Sequence, residues 1–92
     1  MPVQTVDDTE VDLSLGLGHP WKVLLYNDDL HSSDEVVFQV QKATGYSLER
    51  AEQITHEAHA TGRAVAYTGE KEACKRVAAV LREIRLQVEI DE

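Results

Sequence analysis

Val23-Leu24-Leu25-Tyr26-Asn27-Asp28-Asp29-Leu30-His31 passes within nine residues from an apolar run to one amide, two carboxylates and a histidine. An apolar run with β-branched and aromatic members, bounded by turn-forming residues, predicts a short buried strand from Trp21 to Tyr26. The strand empties at once into hydrogen-bond acceptors, with no basic residue among them. Acceptors crowded in this way suit a cationic donor such as an ammonium. Asn and Asp also form turns by bonding their own backbone, and taken alone the stretch reads as a turn. The flanking sequence decides its weight.

Downstream, Ser32-Ser33-Asp34-Glu35 matches a capping box, with Ser32 at the cap and Glu35 three residues on. Val36, Val37, Val40 and Thr44 recur at helical spacing and Gly45 supplies the stop. Ser47 caps a second helix through Leu48, Ala51, Ile54 and Ala58, closed by Gly62. Arg63 to Tyr67 reads as a second strand, and a third helix follows Thr68 with Ala73, Val77, Val80, Leu81 and Ile84 as its buried stripe. Leu86, Val88 and Ile90 alternate with Gln87, Glu89 and Asp91, the pattern of a half-exposed final strand. The order β-α-α-β-α-β predicts a single small α+β domain, a three-stranded antiparallel sheet with three helices on one face. Upstream, residues 1–19 hold Asp7, Asp8, Glu10 and Asp12 without a Lys or Arg, then the glycine-broken Leu13–Gly18. They read as a flexible acidic arm that precedes a core domain over residues 20–92.

Ninety-two residues make one domain and a small core, so a ligand site is a surface notch rather than a deep cavern. A net charge of −8 argues against nucleic acid and anionic membranes as partners. The single cysteine, Cys74, allows no internal disulfide and fits a reducing compartment. Without a membrane-length apolar stretch or a signal-peptide pattern, the expectation is a cytoplasmic, soluble and monomeric protein.

Catalytic and metal chemistries fare poorly. His56-Glu57-Ala58-His59 superficially resembles a zinc-protease helix, but that motif needs its histidines four apart. No Gly-x-Ser-x-Gly elbow is present, Cys74 sits mid-helix, and Gly16 and Gly18 precede a strand rather than a helix. Asp28 and Asp29 as an acid–base pair would point apart as neighbours in an extended loop. The expectation is a non-enzymatic protein without a cofactor or metal. A binding site remains, provided that His59, in the last turn of the second helix, is carried toward the end of the first strand. A histidine there otherwise serves the helix dipole.

The run Trp21-Lys-Val-Leu-Leu-Tyr-Asn-Asp-Asp29, with Gln41-Lys42, Leu48-Glu49-Arg50-Ala51 and His59-Ala-Thr-Gly62-Arg-Ala64, resembles the ClpS family. These are bacterial adaptors of the N-degron pathway, which hand substrates to a Clp-type AAA+ protease. The likeness covers about residues 20–91, and its α/β fold agrees with the order read from periodicity. The resemblance implies that Asn27, Asp28, Asp29 and His59 hold the free α-ammonium of a substrate's first residue. It also implies a side-chain pocket walled by Leu25, His31, Ser33, Val36, Thr55, Ala58 and Leu86. The implied partners are N-degron peptides and proteins and a Clp-family unfoldase, with Arg76 the best positional carry-over for docking.

This chain departs from the family at three wall positions. Ser33 and Thr55 stand where methionine is usual, and Ala58 where valine is usual. Family members favour Leu, Phe, Tyr and Trp; smaller walls, two of them polar, widen the expectation to Ile and Val and to polar or basic side chains. One rival reading is a small α+β interaction domain without N-degron binding, in which Asn-Asp-Asp is a turn and His59 a capping residue. A hydrolase built on Asp28, Asp29 and His59 ranks last.

Overall fold

Val23 and Leu25 are 0% and 1% exposed, whereas Leu24 between them is half-buried and Lys22 is open to solvent. This alternation makes β1 (Trp21–Tyr26) a strand with one buried face. The computed structural model describes residues 20–92; the acidic arm expected over residues 1–19 lies outside them.

α1 (Ser33–Thr44) begins with the expected capping box: the Glu35 N–H donates to Ser32 Oγ at 3.1 Å, and the Ser32 N–H to Glu35 Oε1 at 2.8 Å. It ends at Gly45, whose φ of 78° lets its N–H reach the Gln41 carbonyl. α2 (Leu48–Thr61) starts on Ser47, whose Oγ accepts the Arg50 N–H at 3.1 Å, and closes at Gly62. β2 (Arg63–Gly69) runs two residues past the expected Tyr67, because Thr68 and Gly69 continue to pair with Lys22 and Trp21. α3 (Lys71–Arg82) therefore starts later than the sequence suggests, after Glu70, which gives no side-chain cap. It also stops before Ile84. Glu83 and Arg85 donate their N–H groups three residues back, to Val80 and Arg82, and Arg85 takes φ 67°. That left-handed corner turns the chain so that Leu86 enters the core ahead of β3 (Val88–Asp91).

The sheet order is β2-β1-β3, antiparallel throughout. Between Val23↔Tyr67 and Leu24↔Val65 the register slips, leaving Ala66 as an extra residue in β2. Such a bulge turns two neighbouring side chains the same way. Ala66 is 1% exposed and Tyr67 also packs on the core, its ring 6.2 Å from that of Tyr46. Val36, Val37 and Val40 of α1, Ala51, Ile54 and Ala58 of α2, and Cys74, Val77, Ala78 and Leu81 of α3 form one cluster with the inner face of the sheet. The outer face, including Val65, is open to water.

A polar tie joins α1 to the end of α3. Buried Gln39 donates Nε2 to the Val80 carbonyl at 2.6 Å and to Glu83 Oε1 at 3.3 Å; Lys42 Nζ lies 3.0 Å from the same oxygen. The Lys42 ammonium holds the Glu83 carboxyl below its ordinary range.

Candidate functional site

β1 ends under the C-terminus of α2, and one hydrogen bond fixes the junction: the Asn27 N–H donates to the Gly62 carbonyl at 2.9 Å. Gly62 takes φ 99° and sends its own N–H to the Ala58 carbonyl. A Cβ here would meet nothing within 4 Å, so glycine is required by backbone conformation and not by space. Because Ala58 and Gly62 bracket His59, this bond brings the acceptor loop and the last turn of α2 together.

The result is a cavity of about 190 Å³ between the end of β1, the loop to α1, the start of α1 and the end of α2. Asn27, Asp28, Asp29 and His59, the four residues expected around an ammonium, all line it. So do Leu25, His31, Ser33, Val36, Thr55 and Ala58 from the expected side-chain pocket. The interior is apolar and buried, through Leu25, Val36 and Ala58. The exposed rim carries Asn27, Asp29, Ser33 and His59. Leu86 does not line the cavity. It is 3% exposed and belongs to the core cluster, because the Arg85 corner turns it inward ahead of β3.

The two carboxylates are not equivalent. Asp28 Oδ1 accepts the N–H groups of Leu30 and His31, and its Oδ2 lies 2.5 Å from His31 Nδ1. Burial alone would push the Asp28 carboxyl up; the hydrogen bonds from Leu30 and the His31 ring more than offset it, and the group titrates below its ordinary value. The His31 ring titrates above its ordinary value, chiefly through the hydrogen bond to Asp28 and against the effect of burial. The Asp29 carboxylate accepts a long bond of 3.5 Å from Asn27 Nδ2. Most of its acceptor capacity faces the rim.

Thr55 is less polar toward the cavity than its residue type suggests, because its Oγ1 donates to the Ala51 carbonyl at 2.8 Å. Tyr26 lines the cavity although nothing in its sequence context marks it for the site, and its phenol donates to Glu89 at 2.9 Å. The Asp28–His31 pairing was likewise not foreseen; the three-residue spacing within a turn is the signal that marks it. Arg76 is exposed on α3, outside the cavity. Among the described residues no three His, Cys, Asp or Glu side chains converge on a metal-sized space, and no helix is long and apolar enough to cross a membrane.

Residues 18–89 match the family described as the ATP-dependent Clp protease adaptor protein ClpS. The ClpS adaptor of Streptomyces coelicolor is 32% identical over 57 residues, 62% of this chain and 59% of the relative. That of Corynebacterium efficiens is 32% identical over 53 residues, 58% of this chain and 52% of the relative. The chain thus spans between half and three fifths of the length of these curated relatives. Among solved structures, Agrobacterium tumefaciens ClpS2 bound to L-phenylalaninamide shares the fold, with a TM-score of 0.73 at 20% identity over 79% of this chain and 95% of that one.

Proposed function

The chain belongs to the ClpS family of Clp protease adaptors, and from that premise we propose that it is an N-degron adaptor. It binds the free α-ammonium and side chain of a polypeptide's first residue in the cavity at the end of β1, and it delivers the bound chain to a Clp-type AAA+ unfoldase. The observation that carries this reading is the convergence of the Asn27–Asp29 acceptors and His59 over an apolar floor. An ammonium has three donors and no acceptor, so such a rim selects it over an internal peptide bond. Carboxylates make the hydrogen bonds charge-assisted. A neutral His59 ring adds one lone pair.

The floor receives the first side chain. A dry cavity of roughly 150 Å³ already holds a benzene ring, so a volume of about 190 Å³ accommodates an aromatic residue. Phe, Tyr, Trp and Leu fit this reading, and the L-phenylalaninamide of the solved neighbour pairs a free amino group with an aromatic ring. The short Ser33 and Ala58 extend acceptance to Ile and Val. Polar first residues find a donor in Ser33, and the acidic field of the chain favours basic ones. The family is one of adaptors, not catalysts; the adaptor acts as a cytoplasmic monomer without a cofactor, and its exposed Arg76 contributes to unfoldase docking.

Calorimetric titration with two peptides that differ only in acetylation of a leading Phe tests the proposal. The free form binds and is recovered intact, and the acetylated form does not bind. Equal binding of both forms, or of neither, would instead support a general interaction domain, and cleavage of the peptide a hydrolase.

A further inference from the structure

Asp28 in the free protein is already engaged by an ionisable ring. Its Oδ2 is 2.5 Å from His31 Nδ1, while its Oδ1 is fixed by the Leu30 and His31 N–H groups, so carboxylate and ring are locked together at the cavity wall. Both residues line the cavity assigned above to the ligand's ammonium. We propose that the His31 imidazolium stands in for that ammonium at Asp28, and that binding of a polypeptide's first residue expels the His31 proton to solvent. The inference rests on the adaptor reading and adds a proton linkage to it.

The charges around the ring favour this exchange. Asp28 from the loop and Glu35 from the first turn of α1 both hold the ring positive, and the Ile84 carbonyl after α3 adds to them. Asp29 from the loop and His59 from α2 line the same cavity. Tyr26 of β1 is engaged with Glu89 through its phenol. An arriving ammonium brings a second cation to a carboxylate that already has one, and like charges at one site displace each other's protons. A peptide α-amino group ordinarily titrates near 7.7–8.0, and an imidazole near 6.5. The ammonium brings three donors to a carboxylate that the ring serves with one, so the ring is the one to yield. The Nδ1–H bond breaks, its electron pair stays on the ring, and the proton passes to buffer. Asp28 Oδ2 then accepts from the ammonium. By reciprocity, binding lowers the proton affinity of His31, so protons weaken binding and affinity rises with pH up to the titration of the peptide's own amine.

The test is calorimetry of the full chain with a Phe-led peptide from pH 5.5 to 8.0, in buffers of differing ionisation heat. Nitrogen-15 and ring-proton NMR titration of His31 accompanies it, with and without peptide. Affinity is expected to climb, approaching ~tenfold per pH unit on the acid side, with about one proton released per peptide. His31→Gln flattens that climb, and the wild-type ring loses its proton on saturation. A climb that survives His31→Gln and vanishes in His59→Gln, or a His31 ring that stays protonated in the complex, overturns the linkage and leaves the adaptor reading standing. If no free-amine peptide binds at any pH, the adaptor reading falls and the linkage with it. The NMR titration uses the wild-type chain, so it decides the question even if the His31→Gln protein misfolds.

Discussion

At the scale of single residues, the two adjacent carboxylates divide the work. Asp28 organises the loop through Leu30 and His31, whereas Asp29 has one weak partner and faces the rim. Asp29→Ala is accordingly expected to weaken a Phe-led peptide by about tenfold or more, since a hydrogen bond to a charged group is worth ~1.5–3 kcal/mol, with the melting temperature unchanged. Wild-type affinity in the titration would remove Asp29 from the site. Ser33 lies at the first turn of α1 on the cavity rim, where the adaptor reading has it set the width of the mouth. Ser33→Met refills the space beside the ligand's β-carbon with a flexible thioether. Relative to Leu- and Phe-led peptides, Ile- and Val-led ones are then expected to lose several-fold in affinity, as a change of one methylene in a pocket is worth ~1–3 kcal/mol. A wild type that already rejects Ile and Val would assign the closure to another wall, with His31 the first candidate. The acceptor cluster was legible only with the rest of the chain and its family resemblance, since Asn-Asp-Asp alone reads as a turn and Asp28 does bond the loop N–H groups. Which carboxylate is free was not, since that depends on a ring folding back over the loop. Thr55 misled in the same way: residue type marks it polar, but its hydroxyl proton is committed to Ala51.

Among the elements, the two helix starts written as Ser-x-x-Glu and Ser-x-x-Arg, and the two stops written as Gly, fell where the sequence put them. Their signals are local, and local bonds satisfy the orphan N–H and C=O groups at helix ends. The edges of α3 were misplaced for a non-local reason. Its start waits for Thr68 and Gly69 to finish pairing with β1, and its end is cut by the Arg85 corner. The tie between α1 and α3 was also invisible, because Gln39 occupies a helical position where a long polar residue would ordinarily face water. Gln39→Ala is expected to cost roughly 1 kcal/mol for the lost hydrogen bond to the Val80 carbonyl, which keeps the Glu83 N–H as a partner. A lower urea midpoint at unchanged slope is the readout, and an unmoved midpoint would show that water replaces the amide without loss. The same tie is acid-sensitive. Glu83 titrates below its ordinary value beside Lys42, so its contribution is present above the ordinary glutamate range and fades as pH falls through the lowered one.

For the molecule as a whole, a core of mostly valine and alanine leaves little margin. Leu81 is among the largest side chains fully enclosed, at 0% exposure. Leu81→Ala is expected to cost ~2–5 kcal/mol, a large part of the ~5–15 kcal/mol typical of a domain. Calorimetry should show the loss as a marked fall in melting temperature, and a shift of only a degree or two would mean that the helices collapse onto the gap. Periodicity foretold three strands and three helices but was silent on strand order, since pairing is a long-range choice that no local pattern records. That order has a mechanical consequence. Lys22 lies opposite Asp91, so the start of β1 and the end of β3 sit side by side, whereas Trp21 and Arg63 mark opposite ends of the β1–β2 ladder. A force applied between residues 21 and 91 unzips its ladder one pair after another, while the same force between 21 and 63 shears every pair at once. Single-molecule pulling through cysteines placed at those positions is therefore expected to give a higher rupture force for 21–63 than for 21–91, and equal forces would mean that the helical layer bears the load. The domain yields easily along one axis and resists along another.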